Sequence, residues 1–474
     1  MSSLPPLAGG VHGPQALRPL VDTVLDALRD GAEARGGPLP RGGPDAVAQR
    51  VRDICEPLFP EQGTGSETAL RELVRAVAEG AADPAEPLCA AHLHCPPLAV
   101  AAAADLAVSA LNPSLDSWDQ APAASELETL VVRTLAAQVY GTGGTSETGG
   151  SSETSETGAA PAGGIVTTGG TEANQLALLL ARELLGPLRI VCGENAHHSV
   201  VRGAWLLGLP APLIVPTPRG VLDPLAVGEA LEQTDGPALV VATAGTTDAG
   251  LIDPLPRIAD QCATHSARLH IDAAYGGGLL FSDTLRPRLT GIEHADTTTL
   301  DLHKLGWQPV AAGLLAVRTP TDLDTLAHQA DYLNADDDTE AGLPDLLGRS
   351  PRTTRRPDIL KIAVTLKALG RTGLATLVDQ VCAHAREFAD LTAAHPAFDL
   401  YAPPTISTVL FRPRDTDDTH IAAVRRTLLD NGHAVLGRAR ADGRLWLKVT
   451  LLNPHTRPAD LTALLTLVEG HTPR

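Results

Sequence analysis

The chain has 474 residues, 43% hydrophobic and 20% charged, with 56 acidic against 37 basic side chains and a net charge of -19. That length leaves room for roughly two or three domains, and the acidic balance argues against nucleic acid or an anionic membrane surface as the main partner. No run of about 18 apolar residues is present, and the opening MSSLPPLAGGVHGPQ lacks the basic and apolar regions of a signal peptide. The six cysteines, Cys55, Cys89, Cys95, Cys192, Cys262 and Cys382, are scattered and form no CxxC pair. Neither a disulfide scaffold nor a zinc site is indicated, and no metal is expected; free buried thiols in a cytoplasmic protein fit the pattern.

In chain order, the first hundred residues predict helices separated by Pro/Gly breaks. PDAVAQRVRDICEPLF and SETALRELVRAVAEG carry apolar residues at helical spacing, the second opening on Ser66 as a capping residue. LAVAAAADLAVSAL (98–111) predicts a small-residue helix, and APAASELETLVVRTLAAQVYG (121–141) an amphipathic helix on the domain surface. The stretch 141–164, GTGGTSETGGSSETSETGAAPAGG, is low in complexity and too polar to bury a core, so it predicts a surface insertion.

Beyond it the texture alternates between strand and helix. GIVTTGGTEANQLALLLARELL and LRIVCGENAHHSVVRGAWLLG each predict strand, turn and helix; ALVVATAGTTDAG, RLHIDAAYGGGLL, TTTLDLHK and AAGLLAVR are short apolar runs ending in turn or polar residues. Such spacing predicts an α/β domain with a mostly parallel sheet covered on both faces. From about 358 a long helix leads into a C-terminal α+β portion, with strands in STVLFRPR and HAVLGRARADGRLWLKVTLLN. The expected organisation is an N-terminal helical segment (1–95), a large α/β domain (96–365) and a small C-terminal domain (366–474).

Ligands of open α/β sheets bind at the carboxyl ends of the strands, and four chemically distinctive segments fall at such ends. TTGGTEAN (167–174) puts Gly169, Gly170 and Thr171 at a helix start, where free amides and the helix dipole favour an anion. It has neither the GKS/T of a nucleotide P-loop nor a GxGxxG, so a single phosphate fits. ENAHHSVVRGAW offers His197 or His198 to stack on a planar ring or to act as acid or base; spacing alone does not separate them, and local capping or packing is the competing reading. RLHIDAAYGGG places Asp272 at a strand end before small residues, where it can hold a pyridinium N–H, a ribose or a metal, the last without a His/Asp/Glu cluster to support it, or cap the next turn. TLDLHKLGWQP ends a strand with His303 and Lys304.

Lysine is scarce here: Lys304, Lys361, Lys367 and Lys448 are the four among 37 basic residues. A position that keeps lysine can use an amine able to attack a carbonyl, which arginine cannot supply. Phosphate cradle, stacking histidine, strand-end aspartate and strand-end lysine together match the needs of pyridoxal 5'-phosphate, with Lys304 joined to its aldehyde as a Schiff base. A carboxylate beside the ring nitrogen favours its protonated form, which draws electrons from the substrate.

GGTEAN, NAHHSVVRGA, ATAGTTDAGLIDPL, HIDAAYGG and LDLHK occur in the order and spacing of the group II pyridoxal-phosphate-dependent amino-acid decarboxylases, and the chain resembles that family from about residue 85 to 455. LHCPPL, LNPSLDSWDQAPAASELE, HKLGWQPV and TTRRPDILKIAVTLKALG look closer to its bacterial diamino-acid branch, acting on lysine, ornithine or 2,4-diaminobutyrate. The resemblance implies fold type I and a homodimer with its active site near the subunit interface. It implies Lys304 as the covalent lysine, Asp272 as partner of the ring nitrogen and His197 as the stacking histidine. Gly170 and Thr171 would hold the phosphate, Thr247 and Ala274 line the ring, and Asp301 and His303 flank the lysine. His94, Cys95, Trp118 and Asp119 are the substrate-pocket candidates, Asp119 being the acid for a distal ammonium or, alternatively, a helix-entry residue. Lys448 is read as a surface lysine rather than a carboxylate binder.

Two departures stand out. The loop before Arg355 and Arg356 lacks a tyrosine near Leu346 and Leu347, with Tyr332 earlier, and the 141–164 insertion is longer than the pattern requires. The expected reaction is decarboxylation of an L-amino acid, a diamino acid by preference, to an amine and CO2. The alternatives are an aliphatic or aromatic substrate, a diverted reaction such as oxidative deamination on the same scaffold, and a non-enzymatic homologue.

Overall fold

The computed structural model describes residues 4–141, 162–327, 330, 334–335, 337, 340–344 and 346–472. Residues 142–161 of the low-complexity insertion, and Tyr332, lie outside the described residues. The chain divides into two compact units. One comprises Met1–Pro96, Ser109–Asn112 and Val381–Arg474; the other comprises Pro97–Val108 and Pro113–Gln380.

The second unit is built on seven strands: β1 (Gly163–Thr167), β2 (Arg189–Gly193), β3 (Leu213–Val215), β4 (Ala238–Thr243), β5 (Arg268–Ala273), β6 (Thr297–Asp301) and β7 (Gly313–Val317). Their order is β1-β7-β6-β5-β4-β2-β3. The sheet is mostly parallel, as the spacing predicts. The departure is β7, which runs antiparallel to both neighbours, β1 and β6. Strands such as ALVVAT and GLLAV are buried along their whole length, as a sheet covered on both faces requires.

Side chains alternate along a strand, and here the alternation sorts polarity. His270 and Asp272 of β5 share a face with Thr297, Thr299 and Asp301 of β6, beneath the helix Gly170–Leu185. Thr298 faces the other way, where the Tyr140 hydroxyl, at the end of the helix Pro122–Tyr140, comes within 3.4 Å of its Oγ1. That helix buries Val131, Val132, Leu135, Ala136 and Val139 and leaves Leu130 exposed, an amphipathic outer layer.

The first unit holds the N-terminal helices Gly13–Arg35, Gly43–Cys55 and Ser66–Glu79, and a four-stranded antiparallel sheet: β8 (Phe398–Leu400), β9 (Thr408–Pro413), β10 (Gly437–Ala441) and β11 (Arg444–Thr450), in the order β10-β11-β9-β8. Helices Asp418–Asp430 and Pro458–Gly470 pack on it around Phe388, Phe398 and Phe411, with Phe388 and Phe411 edge to face at 5.2 Å. The Asp417 carboxylate caps the former helix, accepting the His420 N–H at 2.8 Å.

Two expectations are corrected. Ser66 does not cap its helix: Gly65 occupies the cap position without a side-chain bond, and Ser66 is the first helical residue. Lys448 is not on the surface, since its place within β11 leaves it only 8% exposed. The six cysteines are all free thiols, five buried and Cys55 half-buried. Among the described residues no helix is long and apolar enough to cross a membrane.

Candidate active site

Strand register sets the site. Thr167 of β1 and Asp301 of β6 both pair with Gly313 of β7, and Thr243 of β4 and Thr299 of β6 both pair with Asp272 of β5. The carboxyl ends of β1, β4, β5 and β6 are therefore level, and the loops leaving them converge.

From β1 the chain turns into the helix Gly170–Leu185, whose cap residue Gly169 has no side chain to satisfy the first amides. A methyl group at Gly170 would lie 2.9 Å from the Ala274 Cβ and 3.2 Å from Asp301 Oδ2, so glycine is required where the turn meets β5 and β6. The turn is braced by Glu172, which accepts from the Thr168 N–H at 2.6 Å and hydroxyl at 2.8 Å and pairs with the Arg352 Nε at 2.8 Å. Thr171 is exposed at the helix start. A sixteen-residue helix with uncapped amides at its N-terminus suits a phosphate.

At the end of β6, Asp301 begins the one-turn helix Leu302–Leu305. The turn brings Lys304 Nζ to 2.9 Å and His303 Nε2 to 3.5 Å from Asp301 Oδ2. His303 donates from Nδ1 to the Ala312 carbonyl at 3.2 Å. Burial lowers the His303 pKa, against the pull of Asp301. The other Asp301 oxygen, Oδ1, is buried with no hydrogen-bond partner among the described residues. Such an unmet acceptor marks a place where a donor on a ligand can be received.

At the end of β5, the Asp272 carboxylate accepts from Asn174 Nδ2 at 2.7 Å and from the Ala274 N–H at 3.1 Å. His197 follows β2 and is half-buried, its Nδ1 2.8 Å from Ser199 Oγ; His198 is exposed. Burial lowers the His197 pKa, with Asp272 opposing, and the Lys304 and Asp301 charges also act on it. Thr247, in the turn after β4, is exposed.

The structure thus gathers Gly170, Ala274, Asp301, His303 and Lys304 at one end of the sheet, with Asp272 and His197 linked through Asn174 and Ser199. Of the four substrate candidates, each unit holds two. His94 and Cys95 belong to the first unit; Trp118 and Asp119 belong to the second, exposed on the turn before the helix Pro122–Tyr140. The Asp119 carboxylate accepts the Ser117 hydroxyl, and the cap position of the following helix is Ala121, without a side-chain bond.

Sequence reasoning passed over Asn174, Ser199, His270, Thr299 and the Glu172–Arg352 pair. A signal existed for some of them: polar residues at every second place in RLHIDA and TTTLD mark one face of two buried strands as polar. Of the other lysines, Lys361 is fully buried between Asp358 (3.0 Å) and Asp105 (3.2 Å), while Lys367 is exposed. Arg355 binds both oxygens of Glu128, at 2.8 and 3.1 Å, so the RTTRRPD segment is anchored by ion pairs.

The donor set fits pyridoxal phosphate: an amine for its carbonyl, a carboxylate for its ring nitrogen and uncapped amides for its phosphate. Comparison with known proteins agrees. Residues 49–414 match the pyridoxal-dependent decarboxylase conserved domain. The chain is 39% identical to an L-2,4-diaminobutyrate decarboxylase of Rhizobium meliloti (strain 1021), over 89% of this chain and 85% of that protein. It is 31% identical to an L-2,4-diaminobutyrate decarboxylase of Acinetobacter baumannii, over 87% and 85%. Its fold superposes with a TM-score of 0.84, at 30% identity and over 98% and 97% of the two chains, on the glutamate decarboxylase domain of a diaminobutyrate-pyruvate transaminase and L-2,4-diaminobutyrate decarboxylase from Vibrio parahaemolyticus. With this extent of likeness and this strand-end chemistry, the chain belongs to the pyridoxal-phosphate-dependent amino-acid decarboxylases.

Proposed function

We propose that the substrate is L-2,4-diaminobutyrate, which loses its carboxylate as CO2 to leave a diamine. The observation that carries this choice is the likeness to two decarboxylases of that amino acid, each over more than four-fifths of the chain. When bound, pyridoxal phosphate supplies an electron sink for the pair left by the departing carboxylate. In our reading Lys304 Nζ holds it covalently, Asp272 accepts its ring N–H, and the His197 ring stacks on its face. The amides at Gly170 and Thr171 take the phosphate, Thr247 and Ala274 line the ring, and Asp301 and His303 flank the lysine. The protein's remaining task is to orient the carboxylate of the substrate perpendicular to the ring plane.

Of His94, Cys95, Trp118 and Asp119, we assign Asp119 to the distal ammonium, since it is the acid of the set and exposed. We also infer a cytoplasmic homodimer with the active site near the subunit interface. Exposed Leu25, Leu28, Val51, Ile54 and Val77 on the N-terminal helices support a partner surface, and six free thiols support a reducing compartment.

The test is a screen of amino acids for CO2 and amine release. L-2,4-Diaminobutyrate should give the highest kcat/KM, and Asp119→Asn should raise its KM with little effect on kcat. A preference for a substrate without a distal amine would overturn the assignment. In parallel, purified protein should show a visible absorbance band that borohydride removes and that Lys304→Ala lacks. Retention of that band in Lys304→Ala would overturn the role of the lysine.

A further inference from the structure

Asn174 is 1% exposed on the Gly170–Leu185 helix, and all four hydrogen-bonding positions of its side chain are used. One end lies 2.7 Å from Asp272 Oδ2 and 2.9 Å from Ser199 Oγ; the other lies 2.8 Å from Thr299 Oγ1 and 3.0 Å from His270 Nε2. A carboxylate only accepts, so Nδ2 must face Asp272 and Oδ1 must face Thr299 and His270. The orientation of the amide follows from its partners.

From that orientation the direction of each neighbouring bond follows. Nδ2 donates one hydrogen to Asp272 and the other to Ser199 Oγ. The Ser199 hydroxyl proton is then left for its other partner, His197 Nδ1, at 2.8 Å. The Ser199 backbone N–H points at the same nitrogen from 3.3 Å. Two donors converge on Nδ1, so it is bare, and the proton of neutral His197 sits on Nε2 at the opposite edge of the ring. On the other arm, Asn174 Oδ1 can only accept, so His270 Nε2 carries a hydrogen. Its Nδ1 is left to accept from Thr297 Oγ1 at 2.8 Å. Burial favours the neutral form of both rings, taking His270 down to about 4 and lowering His197.

We propose that Asn174 is a positioning residue that sets the tautomer of His197: acting through Ser199 it keeps the ring proton on Nε2, while the same amide aims the Asp272 carboxylate. Every group in this chain of bonds is a protein side chain or backbone N–H. These hydrogens are the protein's own and keep their places whichever amino acid is the substrate.

The test is solid-state 15N NMR of the full-length protein grown on histidine labelled at Nδ1 alone, at pH 8. The His197 resonance is identified by its loss in His197→Gln. In the wild type it should have the shift of a bare ring nitrogen. Asn174→Asp keeps the size of the side chain but replaces Nδ2 with an oxygen. With a second carboxyl group beside Asp272, any proton the pair shares points between the two, so the new oxygen accepts from Ser199. His197 must then donate from Nδ1, and its resonance should move to the N–H region. The ratio of the two forms should swing at least about tenfold, the scale of one hydrogen bond. Should Asn174→Asp fail to fold, Ser199→Ala removes a single oxygen and should leave His197 as a mixture of tautomers. An N–H shift in the wild type, or a wholly bare Nδ1 persisting in the variant, would overturn the proposal.

Discussion

Asp301 Oδ2 lies 2.9 Å from Lys304 Nζ, an ion pair formed across the single helical turn that ends β6. The Asp301 side chain is 2% exposed and meets this partner and, at 3.5 Å, His303. Lys304→Ala in the cofactor-free protein leaves the carboxylate in place without its ammonium, and should cost about 2 kcal/mol of stability, somewhat less than breaking a fully enclosed pair. Adding Asp301→Asn should recover most of that loss. Urea unfolding of the two single variants and the double variant measures the coupling; two losses that simply add would contradict it.

Acid should weaken the protein through its buried histidines. The His270 value sits near 4, below its ordinary 6.5, because burial penalises the charged ring. As pH falls, the unfolded chain takes up this proton first, so the stability contributed by this group is present above about 6.5, declines between about 6.5 and 4, and is gone below. The size is on the order of 3 kcal/mol, and His197 and His303 shift in the same direction. His270→Gln should flatten the slope of urea midpoint against pH in that window. An unchanged slope would show that another group carries the acid sensitivity.

The glycine turn permits a sharper test. A methyl group at position 170 meets the Ala274 Cβ at 2.9 Å and Asp301 Oδ2 at 3.2 Å, both on short, stiff side chains of neighbouring strand ends. Gly170→Ala should therefore displace the turn and weaken pyridoxal-phosphate binding at least about tenfold, a cost of about 1.4 kcal/mol. Gly470→Ala, at the end of the last helix, with open space around the new carbon and no left-handed backbone, should leave cofactor affinity unchanged. Titration of the cofactor-free protein by absorbance separates the two.

Glu172 and Arg352 should behave unequally although they form one pair. Arg352→Ala removes one contact, and its guanidinium side is partly exposed, so a loss of about 0.5 kcal/mol is expected. Glu172→Ala also frees the Thr168 N–H and hydroxyl at the entrance to the glycine turn and should cost about 1–2 kcal/mol. Cofactor affinity should follow the same order. Equal effects would mean that the ion pair alone braces the turn.

Much of this site could be read from local sequence because its parts are local. A strand-end lysine, a strand-end aspartate and a glycine turn opening a helix each show in a few adjacent residues, and the strand-end rule gathers them. What could not be read depends on distant pairing. That β7 runs against its neighbours, placing Gly313 beside both Thr167 and Asp301, follows from no short stretch. The same holds for Asn174, which meets Asp272 from 98 residues away and Thr299 from 125. Lys448 was misread for a related reason: one lysine in an apolar strand resembles a surface charge until the burial of β11 is known. The polar alternation in RLHIDA and TTTLD was present in the sequence, but a strand reading based on apolar content passes over it.

The distribution of lysine has a practical consequence for chemical labelling. Lys361 and Lys448 are buried, the Lys304 side chain is 17% exposed at the strand ends, and Lys367 is the one lysine exposed to solvent. Among the lysine side chains, acylating reagents should therefore tag the folded protein chiefly at Lys367, giving a handle for a fluorophore or surface attachment well separated in sequence from Lys304. Reductive trapping of an aldehyde cofactor would meet little competition from surface amines, and a digest of the trapped protein should yield a single dominant modified peptide, the one containing Lys304.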